Sequence, residues 1–267
     1  GLAAIEISLP ESARILTGSR TNLLDTSAVS DLYAPALLNM QTEERSTPAR
    51  LVERGLQHIP FSLLVQGPKG SGVASLVRQI GEGIMRNMNE YSMTDLAVDS
   101  PQISAEAKIA SAFDDATNRR RFLVLHDLDA LSPEPTRQTS WKEEPIVKSF
   151  IEMARRHELP FAATTCKTSK NLTFPGSIKA LFSDQIELGN MTEQQIHDGF
   201  EHFFGLKFPT EPEIKGLSEL VVGDFAAVRR KLQRMESERT SPEFIVATLK
   251  EAAKNRLDFA DGMKMGF

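Results

Sequence analysis

The sequence of 267 residues is poor in cysteine and in the larger polar aromatic residues, with one cysteine, one tryptophan and two tyrosines. A lone cysteine excludes an internal disulfide and is compatible with a reducing compartment, so we expect a cytoplasmic protein. No apolar run approaches the ~20 residues that cross a bilayer. The first residues also lack the basic and apolar segments of a secretory signal. No membrane partner is therefore expected.

Positive charge is in deficit as well. The chain has 31 lysines and arginines against 36 aspartates and glutamates, a net charge of −5. This is the wrong sign for a dedicated nucleic-acid-binding protein, so nucleic acid is an unlikely partner by sequence. The apolar content of 40% is ordinary for a soluble globular protein, and the length suits one large domain or two linked ones. The chain does not begin with methionine, which suggests a processed chain or an excised fragment.

The most informative segment is a glycine-rich stretch that nearly matches the phosphate-binding pattern G-x-x-x-x-G-K-[ST]. Its residues are Gly67, Pro68, Lys69, Gly70, Ser71, Gly72, Val73 and Ala74. In the full pattern, backbone N–H groups cradle phosphates, the lysine reaches the β/γ-phosphates and the hydroxyl holds Mg²⁺. Here Val73 stands at the lysine position and Ala74 at the hydroxyl position. The pattern predicts a degenerate phosphate loop that binds ATP or ADP weakly or not at all.

The elements around this loop predict an α/β fold. Apolar runs predict buried strands at 61–66, 91–98, 122–125, 161–166 and 181–188. Helices are predicted at 48–58 and 74–85, and others begin at Ser104 and Ile146, so strands and helices alternate. The pattern changes near residue 190. A capping box at Thr192, Gly223-Asp224 and Ser241-Pro242 then begin three helices, the second of them at Phe225.

The predicted organisation therefore has three parts. Residues 1–45 are an N-terminal extension of unknown role, 46–189 are a parallel-sheet core of the P-loop NTPase type, and 190–267 are a small all-helical lid.

This order of parts resembles the AAA+ ATPases, particularly bacterial AAA-type proteins of the ATP-dependent remodelling kind, over roughly residues 34–236. The matching segments are the strand, loop and helix at 61–85, the strand and acidic turn at 122–131, the strand ending in Thr-Thr at 161–166, the arginine-finger segment at 177–188, and the lid helix at 223–230. The resemblance implies an α/β core with a helical lid. It also implies ring assembly with ATP at subunit boundaries, so the expected partners are other AAA+ domains or proteins in a complex.

The sequence departs from the family at its chemical positions. Where the family has Asp-Glu, to orient Mg²⁺ and activate water, this chain has His126 and Asp127. Imidazole is a poor ligand for Mg²⁺, which prefers oxygen. Asp127 is one methylene shorter than glutamate, so it is only a weak catalytic candidate. Cys166 replaces the sensor asparagine, and the finger arginine aligns near Ala180 and Leu181, with Lys179 the nearest base. Such a finger can contribute ~10³–10⁵ in rate.

Other residues of the loop and lid allow two interpretations each. Lys69 could swing onto a phosphate but is expected to be a solvated loop lysine. Ser75 could supply a hydroxyl one position late but is expected to face sideways. Arg229 and Arg230 could reach a nucleotide from the lid, and we expect a solvated helix face instead.

Three further residues lie at the ends of predicted strands. His126 is expected to be a partly buried, hydrogen-bonded strand-end residue, and no metal site is predicted around it. Asp129 is expected to cap the turn that follows, and Cys166 to be a small core residue.

We therefore expect an AAA+-like module that no longer hydrolyses ATP and acts as a structural or regulatory part of an ATPase assembly. The first alternative is a weak ATPase that works through backbone cradling, Lys69 and Asp127. The second is a clamp-loader or replication-type module. The segment 98–103 has no aromatic residue of the kind found in threading pore loops, so polypeptide translocation is not expected.

Overall fold

The computed structural model of the chain describes residues 47–131, 145–166, 176–209, 217–234 and 241–265, with side chains up to residue 257 in the last range. The predicted extension at 1–45 lies outside the described residues. None of the described helices is long and apolar enough to span a membrane.

Five parallel strands form one sheet in the order β2-β3-β4-β1-β5. The strands are β1 Ser62–Gln66, β2 Met88–Ser92, β3 Phe122–His126, β4 Phe161–Thr165 and β5 Asp184–Glu187. Three of these strands, β1, β3 and β4, carry apolar runs, as expected for strands covered on both faces, whereas the edge strands β2 and β5 do not. The predicted α/β class with a parallel P-loop-type sheet is confirmed.

Helices cover both faces of the sheet and continue beyond it. They are α1 Thr47–Leu56, α2 Val73–Gly83, α3 Met93–Leu96, α4 Ala105–Asn118, α5 Pro145–Arg156, α6 Gly176–Lys179, α7 Glu193–Phe204, α8 Val222–Arg234 and α9 Pro242–Met265. A short 3₁₀ turn, Leu128–Leu131, follows β3.

Two apolar clusters build the core, one on each face of the sheet. Alternate residues of β1 point to opposite faces: Leu63 and Val65 join the cluster with α1 and α2, and Leu64 joins the cluster with α4 and α5. The first cluster also contains buried residues of α7, α8 and α9, so the C-terminal helices pack on the same face as the phosphate loop.

The second strand lies earlier than predicted. Only Tyr91 and Ser92 of the expected strand at 91–98 lie in a strand, because β2 ends at Ser92 and α3 follows at once. Ser92 accepts a hydrogen bond from the Thr94 N–H at 3.2 Å and so caps α3. Asn89 of the same strand is buried, and its side-chain amide donates to Asp115 at 2.6 Å. A polar strand of this kind lacks the apolar run that marks β1, β3 and β4.

The C-terminal helices begin close to the predicted points. Thr192 and Gln195 form the predicted capping box at α7, with distances of 3.3 Å and 2.8 Å. The second helix, α8, begins at Val222, before the predicted Phe225. The last strand ends at Glu187, consistent with a change of architecture near residue 190. That the two parts are separate domains stays a prediction.

Candidate functional site

Parallel pairing brings the carboxyl ends of all five strands to one edge of the sheet. The segments that follow β1, β3 and β4 therefore meet there, as is usual for ligand sites of α/β proteins. The loop after β1 is tied to β4 because the Gly67 N–H donates to the Thr165 carbonyl at 3.2 Å. The predicted phosphate loop and the Thr-Thr-Cys segment are neighbours in the fold.

The loop backbone has the shape of a phosphate cradle. Gly70 and Gly72 have φ values of +87° and +94°, a region that residues with a Cβ rarely adopt. The Ser71 N–H donates to the Pro68 carbonyl at 2.9 Å and closes the turn. Gly72 is the N-cap of α2, and no side chain caps this helix. Its first N–H groups thus keep the donors and the positive dipole end that bind anions.

A cavity of about 310 Å³ lies between this loop and the C-terminal helices. Its walls come from the loop and α2, from the end of β4, and from α7 and α8. The lining residues are Gly70, Gly72, Val73, Ala74, Ser75, Cys166, Phe203, Val222, Gly223, Ala226 and Arg230. Most of these side chains are apolar or absent, and among these lining residues Arg230 is the cation.

The two substituted loop positions are part of this apolar wall. Val73, at the lysine position, is 7% exposed and belongs to the core cluster with α7 and α8. Ala74 lines the cavity and carries no oxygen. Lys69 is exposed and is not one of the lining residues, in line with a solvated loop lysine. Ser75 is also one of the residues that line the cavity, and the expectation that its side chain faces sideways stays a prediction.

His126 links three neighbouring elements at the position of the family's Mg²⁺-orienting carboxylate. Its Nε2 lies 2.9 Å from Oε2 of Glu90 on β2, and its Nδ1 lies 3.1 Å from Oγ1 of Thr164 on β4. Arg78 of α2 donates to both carboxylate oxygens of Glu90 at 2.8–3.0 Å. The hydrogen bonds from Arg78 and then His126 hold the pKa of Glu90 below its ordinary value. His126 is thus the hydrogen-bonded strand-end residue that the sequence predicted.

The acidic residues after β3 also have structural partners. Asp127 has a left-handed backbone, with φ of +57°, and its Oδ2 lies 3.4 Å from the Ser92 hydroxyl. Asp129 accepts a hydrogen bond from the buried Thr165 hydroxyl at 2.9 Å, which joins the ends of β3 and β4. Asp127 is not among the described residues that line the cavity. Its predicted weak catalytic role stays a prediction.

These residues fit a phosphate group better than they fit Mg²⁺. The family implies ATP with Mg²⁺, and the backbone of the loop presents donors suited to phosphate. A Mg²⁺ ion needs oxygen ligands in near-octahedral geometry. Ala74 has no oxygen, and both ring nitrogens of His126 are within hydrogen-bond distance of other side chains. Within the described residues, no group of three or more His, Cys, Asp or Glu side chains could hold a metal ion.

Cys166 corrects a second expectation from the sequence. It follows the last residue of β4, is exposed and lines the cavity, so it is not a core residue. Desolvation at the cavity wall, and then the carboxylates of Asp127 and Asp129, raise the pKa of the Cys166 thiol, while Lys69 lowers it. The thiol is therefore less reactive than an ordinary exposed one.

The lid side of the cavity was largely missed by sequence reasoning. Arg230 lines the cavity, as the less favoured interpretation had it, whereas Phe203 and Val222 were not singled out. Arg256 of α9 was also missed, although it pairs with buried Asp224 beside the loop. The local sequence signal on this side is Gly223-Asp224, which predicts the start of α8. It does not predict that this helix start packs against the phosphate loop.

Comparison with known families agrees with this geometry. Residues 63–182 match the family described as "ATPase family associated with various cellular activities (AAA)". The matched segment runs from β1 through the phosphate loop, β3 and β4 to the residues just before β5. A comparison with curated proteins found no match. The segment 63–182 is therefore similar to the AAA ATPase family, which supports the AAA+ superfamily for this part of the chain.

Proposed function

We propose that this chain is a non-hydrolysing AAA+ module that serves as a structural or regulatory part of an ATPase assembly. The observation that carries the proposal is the wall of the cavity beside the phosphate loop. Val73 and Ala74 occupy the positions that in the family contact the β/γ-phosphates and Mg²⁺, and Cys166 stands at the position of the sensor asparagine. Hydrolysis needs charge stabilisation at these places, and the three side chains supply none.

The interactions of the replaced positions support the same conclusion. Val73 is buried in the core, and His126 bridges Glu90 and Thr164. Restoring one of these side chains to its catalytic type would remove a contact that now holds the fold. The proposed partners are other AAA+ domains, because a module of this shape without hydrolysis is useful where a neighbour supplies the chemistry.

Weak nucleotide binding without hydrolysis is the second candidate. Its support is the cradle formed by Gly70, Gly72 and the uncapped amino end of α2, with Arg230 in the wall of the same cavity. Backbone donors do not depend on the lost side chains, so they still attract an anion. The clamp-loader alternative has only the fold in its favour, and the net charge of −5 counts against it.

The test combines phosphate release with thermal unfolding, with and without 1 mM ATP and Mg²⁺. We expect no phosphate release above the uncatalysed rate. A Kd of about 10 µM would stabilise the chain by about 2.7 kcal/mol, so an unchanged melting temperature indicates weaker binding or none. Turnover that is proportional to protein concentration and survives repeated purification would overturn the proposal.

A matched pair of variants separates the two binding alternatives. Arg230 lines the cavity and Lys69 does not, although both are exposed cations near the loop. If ATP raises the melting temperature at all, Arg230→Met should abolish the rise and Lys69→Met should keep it. The opposite pattern would show that Lys69 replaces the missing lysine, as in the weak-ATPase alternative.

A further inference from the structure

The start of α8 touches the phosphate loop backbone to backbone. The Gly223 N–H donates to the Gly70 carbonyl at 2.9 Å. A Cβ added at Gly223 would lie 2.8 Å from that same oxygen and 3.1 Å from the Gly70 Cα. Only a residue without a side chain allows this approach, so the contact depends on glycine at position 223.

A buried ion pair fixes this contact from the side of α9. Arg256 donates to both carboxylate oxygens of Asp224, at 3.1 Å to Oδ1 and 3.2 Å to Oδ2. The two side chains are 15% and 5% exposed. Arg256 also donates to the Glu219 carbonyl, and its Cδ would lie 3.7 Å from a Cβ at Gly70. One guanidinium group thus ties α9 to the start of α8 where α8 meets the loop.

Asp224 is the centre of this arrangement. Besides pairing with Arg256, its Oδ2 accepts a hydrogen bond from the Val221 N–H at 3.0 Å. This bond satisfies one of the donors at the start of α8, and the carboxylate lies at the positive end of the helix dipole. These partners stabilise the buried carboxylate of Asp224 in this position, because each of them offsets part of its desolvation cost.

We propose that these groups form a latch that sets the position of the lid on the phosphate loop, so that nucleotide does not control the lid. The latch is Gly70, Gly223, Asp224 and Arg256. All of its contacts are between atoms of this chain, and the apolar cluster that β1, α2, α7, α8 and α9 share supports it. The inference rests on the proposed function: a module that holds a fixed shape for a partner needs a lid that phosphate does not move.

The direct readout of the latch is hydrogen exchange at the Gly223 amide. Arg256→Met removes the guanidinium and keeps much of the apolar stem, and Lys231→Met is the matched control, since Lys231 forms an exposed ion pair between the same two helices. We expect the Gly223 amide to exchange at least about tenfold faster in Arg256→Met than in Lys231→Met, a larger acceleration than at the slowest amides of β1 and β4. Equal rates in the two variants would overturn the proposal.

A second pair of variants decides the question if Arg256→Met does not fold. Gly223→Ala forces the backbones apart, whereas a Cβ at Gly189 meets nothing within 4 Å. Helix propensity alone predicts that alanine at 223 stabilises α8. The latch predicts the reverse: a lower melting temperature for Gly223→Ala than for Gly189→Ala. A melting temperature equal to or above that of the control contradicts the latch.

Nucleotide provides the last arm of the experiment. With the wild-type chain, 1 mM ATP in Mg²⁺ or in EDTA should leave exchange at the Gly223 amide unchanged. A tenfold change in either direction would show that nucleotide sets the lid and would overturn the latch. Phosphate release with an unchanged Gly223 amide would instead refute the proposed function and leave the latch standing.

Discussion

His157, which follows α5, shows how one side chain can be committed to the neutral state. Thr117 Oγ1 donates to the Phe113 carbonyl at 2.9 Å, so it accepts from His157 Nδ1 at 3.2 Å. The other nitrogen, Nε2, is buried and has no hydrogen-bond partner in the described part of the chain. The ring lies edge-on to Phe113 and Phe161. A proton on Nε2 would have no acceptor, and burial lowers the pKa of His157 from 6.5 to about 4.

This shift makes stability depend on pH in a defined direction. Below pH 6.5 the unfolded chain binds a proton at His157, whereas the folded chain does not until the pH nears 4, so stability falls as the pH drops through this window. The full shift corresponds to about 3 kcal/mol, and partial exposure of the side chain reduces the expected loss to about 1–2 kcal/mol. Urea unfolding at pH 7, 6, 5 and 4.5 measures the slope.

The variant His157→Asn should flatten this slope, because the amide can replace the Nδ1 donor and does not titrate. His202→Asn is the control for the substitution itself, since His202 is exposed on α7. The comparison is between slopes, because the smaller Asn side chain lowers stability at every pH. If His157→Asn and the wild type lose stability in parallel, another group causes the acid sensitivity.

At the scale of the elements, the sequence predicted the helix starts, because interactions within one turn determine them. Ser104 and Thr192 accept hydrogen bonds from the amides of Ala107 and Gln195, so both helix starts were readable from side chains that act within one turn. The start of β2 could not be predicted from local sequence. Asn89 is buried there because its side-chain amide hydrogen-bonds to Asp115, which lies on α4. A polar residue whose burial depends on a hydrogen-bond partner far away in the sequence does not produce the apolar pattern that predicts a buried strand.

The capping box at α7 gives a test of this local control. Thr192→Ala removes the acceptor for the Gln195 N–H and should lower the free energy of unfolding by about 1 kcal/mol. Thr192→Ser keeps the hydroxyl and should cost clearly less. Denaturant unfolding measures both, and the m-value should stay constant because the fold is unchanged. Equal losses in the two variants would mean that the Thr192 methyl group, not the cap, is important.

At the scale of the whole molecule, the site divides into a half that sequence could predict and a half that it could not. The loop side follows from a contiguous pattern, Gly67 to Ala74, and its position after a strand. The lid side comes from Phe203, Arg230 and Arg256, which meet the loop only through tertiary packing. The sequence shows which catalytic side chains of the family are missing. It does not show what the replacing side chains contact, because the partners of His126 depend on where three strands and α2 lie.

The shared apolar cluster predicts that sheet and lid unfold together. Leu249 of α9 is fully buried in the cluster that also contains Leu63, Val65 and Ala162 of the sheet. Leu249→Ala should therefore cost about 2–5 kcal/mol, with equal losses at the slowest-exchanging amides of β1, β4 and α8. Leu257 lies on the same helix but is 36% exposed, so Leu257→Ala should cost less than about 1 kcal/mol.

Native-state hydrogen exchange measures these losses amide by amide. If Leu249→Ala accelerated only the amides of α7, α8 and α9, the lid would be a separate folding unit, and the cluster would be a contact between two domains. Equal acceleration in the sheet would mean that the lid is part of the core's stability. A module with such a lid keeps its shape through contacts within the chain, which is what the proposed non-hydrolysing member of an ATPase assembly would require.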